Sequence, residues 1–402
     1  MRDLASKIAA ATDLDITSTA PDTKRCIYCD KHKSKNEFSL EHIFPDSMGG
    51  NVCSDLFKTR DVCARCNSIM GMFVDGPVIK SWYSKNTEST AYREFVDIQA
   101  SNSWIPFAYM GVSKNLIFGE NEVCEIWCGQ HGEHVYHIHL KDDPRFDTYA
   151  GGDPIARQKH PGRAYLFLTT EDVAKCGLTI RSFVRQFKKV SRYAGNFDSA
   201  GGELEGIYEP IPKDRMEEFE ALRAKAAAGE TWAMRVGVGI GFEERFMAKL
   251  ARGIGFKLFG EQYLTTPYGI NIRNALWEKD AEVRGKLFKA LPLFNENGKA
   301  LKGRAGYPGV YSVLLWAMPE SFVLLLTMPD GNLLSVVISD DPSLWAGPEF
   351  DSYRDGAIFL VAPQVETFIG PVSFPDFLAH MLGNTCISDI SSLEQKRVAS
   401  PL

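Results

Sequence analysis

The sequence of 402 residues lacks the features that mark membrane-spanning or secreted chains. No run of about 18 apolar residues occurs, because the most apolar stretch, VLLLTM, is bounded by Pro319-Glu320-Ser321 and Pro329-Asp330-Gly331. The N-terminal stretch MRDLASKIAAATDLD lacks the apolar core of a signal peptide. We therefore expect a cytoplasmic protein in a reducing compartment, with no membrane partner.

Excess positive charge is also missing. The net charge is −6, which argues against a general binder of polyanions. The charge is unevenly distributed, however, since Lys24 to Lys85 carries ten Lys or Arg against seven Asp or Glu, a local balance of +3 that leaves −9 elsewhere. A mildly basic segment on an acidic body is consistent with nucleic-acid contact at one end of the chain.

The nine cysteines are an odd number in a long chain, which does not indicate a secreted disulfide framework. Four of them form two Cys-x-x-Cys pairs, Cys26/Cys29 and Cys63/Cys66. Such pairs bring four thiolates within tetrahedral reach of one Zn²⁺, whereas a redox pair or unrelated cysteines are the alternative. We predict a structural Cys₄ zinc site that replaces a hydrophobic core in this short polar segment.

The spacer between the two cysteine pairs carries further polar groups. Glu41 and His42 are adjacent in a short β-like run that Pro45 ends, and Gly49-Gly50 follows. Strand alternation would point the two side chains to opposite faces unless the backbone twists at the strand end. Asn67 directly follows the last cysteine at a predicted helix start, where it would also serve as an N-cap.

Together these motifs resemble the HNH endonucleases, whose ββα-metal finger carries an acid–His pair on the first strand and a closing His or Asn at the helix start. The resemblance is limited to residues 24–85. It implies metal-dependent hydrolysis of DNA phosphodiester bonds, with RNA as an alternative substrate. It also implies that His42 is the general base that activates water, which suits a side chain with an ordinary pKa of about 6.5.

The same resemblance implies a catalytic Mg²⁺ or Mn²⁺ that stabilises the leaving 3′-oxygen. Glu41 would be its acidic ligand and Asn67 its closing ligand, and Asp46 or Asp55 are alternative sources of the carboxylate. Oxygen donors suit these ions, whereas thiolates select zinc. We therefore expect two chemically separate metal sites, one catalytic and one structural.

Lys58, Arg60 and Arg65 are candidate phosphate contacts, with ordinary solvated charges as the alternative. Lys58 also marks a departure from the family pattern, since family members carry at this place a middle Asn that steadies the loop holding the base. The rival hypothesis is a zinc-dependent nucleic-acid-binding module that has lost catalysis, with the C-terminal region as a ligand-sensing or interaction domain.

The whole chain is predicted to be α+β, with a small zinc-stapled ββα-metal module followed by a larger mixed region with antiparallel sheets. The predicted organisation is an N-terminal arm (1–23), the HNH module (24–85) and a region of unknown role (91–402), with a sub-boundary near 200–212. That last region is a candidate sensor, specificity or dimerisation domain. Its pairing with a short HNH module suggests a restriction or anti-phage defence effector, a homodimer, and an activating ligand or partner protein.

Periodicity predicts the main elements of the C-terminal region. Residues 104–140 favour a three-stranded antiparallel meander. Helices are predicted at Lys213–Ala228 and from Phe242 to Leu258, where the apolar stripe reads as core. The last hundred residues contain nearly continuous apolar strands, which predicts a sheet covered on both faces.

Three histidines lie in one strand-like run of this region, His134, His137 and His139. His137 and His139 share a strand face, a spacing that can bind a metal. No adjacent Cys, Asp or Glu pattern completes the set, so the sequence alone predicts no metal site there.

Overall fold

The computed structural model describes residues 22–79, 81–116, 118–141, 162–169, 172–196, 211–228, 234–235, 243–290, 301 and 303–397. Residues 1–21 of the predicted N-terminal arm and most of the predicted 200–212 sub-boundary lie outside these ranges. Helices and largely antiparallel sheets make up the described chain, which confirms the predicted α+β class. Within the described ranges, no helix has both the length and the apolar character that crossing a membrane requires.

The cysteine-rich segment folds as two hairpins followed by a helix. The first hairpin pairs β1 (Thr23–Arg25) with β2 (His32–Ser34), and the second pairs β3 (Phe38–His42) with β4 (Lys58–Cys63). α1 (Ala64–Met70) follows β4 without a loop and continues through a wider turn, Gly71–Asp75, into α2 (Gly76–Ile79). The second hairpin and α1 give the predicted ββα order.

After α3 (Trp82–Phe95), the middle of the chain forms a six-stranded sheet. Its strands and helices are β5 (Ala108–Ser113), β6 (Glu122–Cys128), β7 (His134–Leu140), β8 (Arg163–Leu168), α4 (Val173–Gln186), β9 (Ser191–Asn196), α5 (Lys213–Ala227) and β10 (Met234–Arg235). The spatial order is β10-β5-β6-β7-β8-β9, antiparallel except for the parallel pair β8–β9. The predicted meander is confirmed as β5–β6–β7.

The last part of the chain places helices beside a five-stranded antiparallel sheet. Its elements are α6 (Glu243–Phe259), α7 (Glu261–Thr265), α8 (Pro267–Trp277), α9 (Ala281–Gly285), β11 (Tyr311–Ala317), β12 (Phe322–Thr327), β13 (Leu333–Ser339), α10 (Asp351–Arg354), β14 (Ala357–Ala362), β15 (Thr367–Ser373), α11 (Phe374–Met381) and α12 (Ser388–Gln395). The order is β13-β12-β11-β14-β15. β12 and β14 are buried along their whole length, which confirms that the sheet is covered on both faces.

One hydrophobic core joins the cysteine-rich segment to this last sheet. The Phe57 ring packs edge-on against Phe359 with centroids 5.3 Å apart, and Phe44 meets Tyr311 at 5.9 Å. Phe246 of α6 lies in the same core. This core crosses the predicted boundary between 24–85 and 91–402, whereas the six-stranded sheet has separate apolar clusters on its two faces.

Candidate metal-finger site

The four predicted zinc ligands converge in the cysteine-rich segment. One sulfur from each of Cys26, Cys29, Cys63 and Cys66 lies within 4.8 Å of the other three. Ideal tetrahedral zinc with bonds of about 2.3 Å places its sulfurs about 3.8 Å apart, a separation close to that of these thiols. The cysteines are thus compatible with the predicted structural zinc site. All nine cysteines of the chain are described, and none forms a disulfide.

Local backbone geometry explains why the thiols meet. Cys26 follows β1 in a turn closed by Asp30 N–H donating to Cys26 O at 2.8 Å, and Asp30 itself adopts a φ of 65°. Cys63 ends β4, and Cys66 lies on the first turn of α1. A hydrogen bond from the Cys66 thiol lowers the pKa of Cys26 to about 5, helped by the Cys63 N–H at 3.4 Å. This environment favours a thiolate, the form that binds metals.

His42 ends β3, where it lies directly opposite Lys58 of β4. Its side chain is half-buried, while Glu41 before it is only 2 % exposed. The two side chains therefore face different environments, as strand alternation predicts. His42 is available to a ligand at the surface, whereas Glu41 belongs to the interior.

The Glu41 carboxylate takes part in a buried ion pair. Lys249 of α6 places its Nζ 2.8 Å from Glu41 Oε1 and 2.6 Å from Asp75 Oδ2, and it donates to the His42 carbonyl at 3.1 Å. Tyr28 Oη also donates to Glu41 at 3.3 Å. Burial raises the pKa of Glu41 and of Asp75, and the Lys249 ammonium opposes part of that rise. The carboxylate that sequence reasoning assigned to a catalytic cation is thus engaged by Lys249.

Asn67 lies on the first turn of α1 and is anchored to β3. Its Nδ2 donates to Leu40 O at 2.7 Å and to Ser39 Oγ at 2.9 Å. Because a backbone carbonyl only accepts, these bonds identify the nitrogen of the amide and leave Oδ1 as the acceptor atom. The structure therefore brings Asn67 next to the strand that ends in His42. The alternative carboxylates, Asp46 and Asp55, begin the short helical turns Asp46–Met48 and Asp55–Phe57 in the loop between β3 and β4.

The three predicted phosphate contacts have different surroundings. Lys58 Nζ donates to Asn51 O at 2.7 Å, which ties the β3–β4 loop in place, the task that the family pattern gives to the middle Asn. Arg60 is exposed on β4. Arg65 lines an open cleft of ≈ 340 Å³ beside the cysteine cluster, together with Lys31 and Lys33. The sequence analysis did not name these two lysines as candidate phosphate contacts, although both closely follow the Cys26/Cys29 pair.

α6, which is distant in sequence, packs against the cysteine-rich segment. Buried Arg252 donates to Ile27 O, between Cys26 and Cys29, and to Gly269 O of α8, both at 2.8 Å. Gly253 allows close packing, since a Cβ there would lie 2.6 Å from Ile43 Cγ2, next to His42. The predicted apolar stripe of α6 is confirmed as core, but its two buried cations were not recognised as contacts of the finger. Basic residues within an apolar helix give no indication of their distant partners.

Comparison with known proteins agrees with this geometry. No curated protein and no solved structure matches the chain. The model of a family described as HNH endonuclease matches residues 26–83, which span the four cysteines, His42 and Asn67. The resemblance of this segment to the HNH endonucleases is thus confirmed over residues 26–83.

Proposed function

We propose that the chain is a metal-dependent endonuclease that hydrolyses DNA phosphodiester bonds at His42. The observation that carries the proposal is the joint placement of His42 and Asn67 on the β3–β4–α1 finger, whose cysteine cluster fits zinc. An imidazole at a half-buried position can accept a proton from water near neutral pH. A divalent cation such as Mg²⁺ or Mn²⁺, when bound, would stabilise the leaving 3′-oxygen.

The chain holds these groups from several sides. Lys249 fixes the His42 carbonyl from the interior, and Lys58 fixes the loop that follows His42. Asn67, held through its Nδ2, offers its Oδ1 to a cation, and oxygen donors of this kind suit Mg²⁺ and Mn²⁺. Glu41 then acts as a positioning residue, because its ion pair with Lys249 would have to break before it could bind a cation.

The cleft beside the cysteine cluster supports a nucleic-acid substrate. Lys31, Lys33 and Arg65 bring three positive charges to its walls, and Trp277 of α8 is among the remaining lining residues. Cationic side chains of this kind contact phosphates irrespective of base sequence, while an aromatic ring offers a surface on which a base can stack. We infer that the DNA backbone follows this cleft past the zinc site.

A supercoiled-plasmid cleavage assay with Mg²⁺ or Mn²⁺ tests the proposal. His42→Ala should lower the cleavage rate by about 10²- to 10⁴-fold, the usual contribution of general acid–base catalysis. His32→Ala is the matched control, since His32 is an exposed histidine on β2 of the same cysteine-rich segment and this variant should cut like the wild type. Equal cutting by wild type and His42→Ala would refute the assignment of the base.

A second candidate function is a zinc-dependent nucleic-acid-binding module without catalysis. This function is favoured by the surroundings of His42. Among the described residues, neither cluster of three or more potential His, Cys, Asp or Glu metal ligands includes His42. The same preparations distinguish the two functions in a gel-shift assay. Retarded DNA with no cleavage in either metal would support the binding module, and RNA run in parallel would identify the preferred nucleic acid.

A defence role for the nuclease rests on the architecture alone, in which a small finger shares its core with a much larger chain. Expression of the wild type in a bacterial host should then reduce phage plaque numbers, and His42→Ala should abolish the reduction. Equal plaque numbers on both hosts and on an empty-vector host would contradict this role.

A further inference from the structure

A second group of metal-ligating side chains lies far from the finger, inside the six-stranded sheet. It consists of Glu125 on β6 with His137 and His139 on β7. Glu125 lies directly opposite His137 in the antiparallel pair, and His139 is two residues further along the same face of β7. The three residues are 0 %, 0 % and 2 % exposed, so they meet in the interior of the protein.

The distances between the three groups match those around a bound ion. One ligand atom from each residue lies within 4.8 Å of one from each of the others. Glu125 Oε2 is 2.9 Å from His137 Nδ1 and 3.4 Å from His139 Nε2. A tetrahedral ion with bonds of about 2.0–2.1 Å separates its ligand atoms by about 3.3 Å. Only small side-chain shifts are therefore needed to admit a metal.

Neighbouring groups orient two of the ligands in the way that metal sites require. His139 Nδ1 lies 2.9 Å from Leu140 O, and because a carbonyl only accepts, Nδ1 must carry the proton. A neutral His139 then has its lone pair on Nε2, the atom that faces Glu125. Tyr109 Oη donates to the other carboxylate oxygen of Glu125 at 3.3 Å. Such outer contacts fix the ring tautomer and the direction of metal ligands.

The surroundings are apolar and tightly closed. The Phe187 ring packs edge-on against His137 with centroids 5.7 Å apart. The backbone of Gly162 closes one side of the cluster, since a Cβ there would lie 3.1 Å from both His137 Nε2 and His139 Cβ and 2.7 Å from Ile138 O. Neighbouring backbone and side chains therefore enclose the three groups between β6 and β7.

We propose that Glu125, His137 and His139 bind a divalent transition-metal ion, such as Zn²⁺, that links β6 to β7 inside the six-stranded sheet. Two imidazoles and one carboxylate form a mixed nitrogen–oxygen donor set that suits zinc and its neighbours in the first transition row better than Mg²⁺ or Ca²⁺. The proposal is independent of the nuclease assignment, because it involves other residues and another part of the fold.

The alternative to a metal is a proton. If His139 keeps its Nδ1 proton and also donates from Nε2 to Glu125, the ring is an imidazolium that neutralises the carboxylate without any ion. The two arrangements differ in metal content, which can be measured directly.

Metal content of the full-length protein tests the proposal. The protein is produced in zinc-supplemented medium, gel-filtered to remove loosely held ions, and analysed by inductively coupled plasma mass spectrometry. We expect two zinc ions per chain in the wild type, one from the cysteine cluster and one from this site. His139→Gln and Glu125→Gln should each hold one. His134→Gln, which changes the histidine on the opposite face of β7, should still hold two.

His42→Ala should also hold two zinc ions, which separates this site from any zinc bound at the nuclease centre. One zinc in the wild type, or two in both His139→Gln and Glu125→Gln, would overturn the proposal. If the far-UV circular dichroism of these variants shows misfolding, Co²⁺ substitution of the wild type decides. A nitrogen–oxygen site adds visible d–d bands without thiolate charge-transfer intensity. The spectrum of a Cys₄ site alone would exclude the second metal.

Discussion

Replacement of Lys249 by methionine tests whether α6 stabilises the β3–β4–α1 finger. The side chain is 0 % exposed and lies between Glu41 and Asp75, and Glu41 is itself only 2 % exposed. Methionine keeps most of the volume and removes the positive charge. Two buried carboxylates are then left without the ammonium that compensates them.

Breaking a buried ion pair by removing one partner costs about 3–5 kcal/mol of unfolding free energy, because an uncompensated charge remains in the interior. Burial already raises the pKa of Glu41 and Asp75, and loss of Lys249 removes the main influence that opposes the rise. The folded variant therefore binds more protons than the unfolded chain. Its stability should fall as pH increases above the ordinary carboxyl range, by up to about 1.4 kcal/mol per pH unit for each group.

The measurement is urea unfolding of zinc-loaded protein, followed by tryptophan fluorescence between pH 5 and pH 8. Lys249→Met should unfold at a lower urea concentration than the wild type, and the gap should widen toward pH 8. Lys257→Met is the control, since Lys257 is exposed on the same helix and should change stability by less than about 0.5 kcal/mol. Equal stability of the two variants, or a gap that does not depend on pH, would refute the buried pair.

Three further predictions concern other contacts. Gly253→Ala should lower the unfolding free energy by about 1–3 kcal/mol, because its Cβ would overlap Ile43, and urea unfolding measures this. The hydrogen bond from Arg163 lowers the pKa of Glu122 to about 2. The ionised Glu122 therefore stabilises the fold at pH values above the ordinary carboxyl pKa, and this stabilisation is lost as the pH falls toward 2. Arg163→Met should therefore have a melting temperature that depends less on pH between 7 and 3. Cys63→Ser should lose one zinc per chain together with far-UV helix signal.

Matched controls accompany these variants. Gly285→Ala places a methyl group 3.8 Å from its nearest neighbour and should leave stability unchanged. Cys386→Ser removes an exposed thiol outside the cluster and should keep the zinc content of the wild type. Equal unfolding free energies of Gly253→Ala and Gly285→Ala would contradict the close packing at Gly253. Equal zinc contents of Cys63→Ser and Cys386→Ser would contradict the role of Cys63 as a zinc ligand. If the melting temperature of Arg163→Met depends on pH as strongly as that of the wild type, the proposed role of Arg163 is excluded.

The sequence predicted those parts of the site whose residues lie close together along the chain. The two Cys-x-x-Cys pairs predict a cluster of four thiols that can hold a metal, and the order of strand, strand and helix around His42 follows from the same segment. The alternation of Glu41 and His42 between the two faces of β3 was also predictable, because it depends only on the period of a strand. These features needed no knowledge of the remaining chain.

The remaining features depend on partners that are distant in sequence. The ion pair of Glu41 could not be predicted, because nothing local shows that Lys249 would reach it from α6. Glu125 joins the two histidines only through the pairing register of β6 and β7, which the hairpin sequence does not specify. Register and long-range packing decide both cases, and a single sequence contains little information on either.

The position of α6 also determines when the finger gains its buried ion pair during synthesis. The bond between Lys249 and the His42 carbonyl joins residues 207 positions apart, so the ribosome must add that many residues after His42 before the bond can form. At about 5–20 residues per second this takes roughly 10–40 s. Throughout that interval the emerging finger lacks the ammonium that compensates Glu41 and Asp75. The emerging finger therefore reaches the stability it has in the complete protein only after α6 has been synthesised.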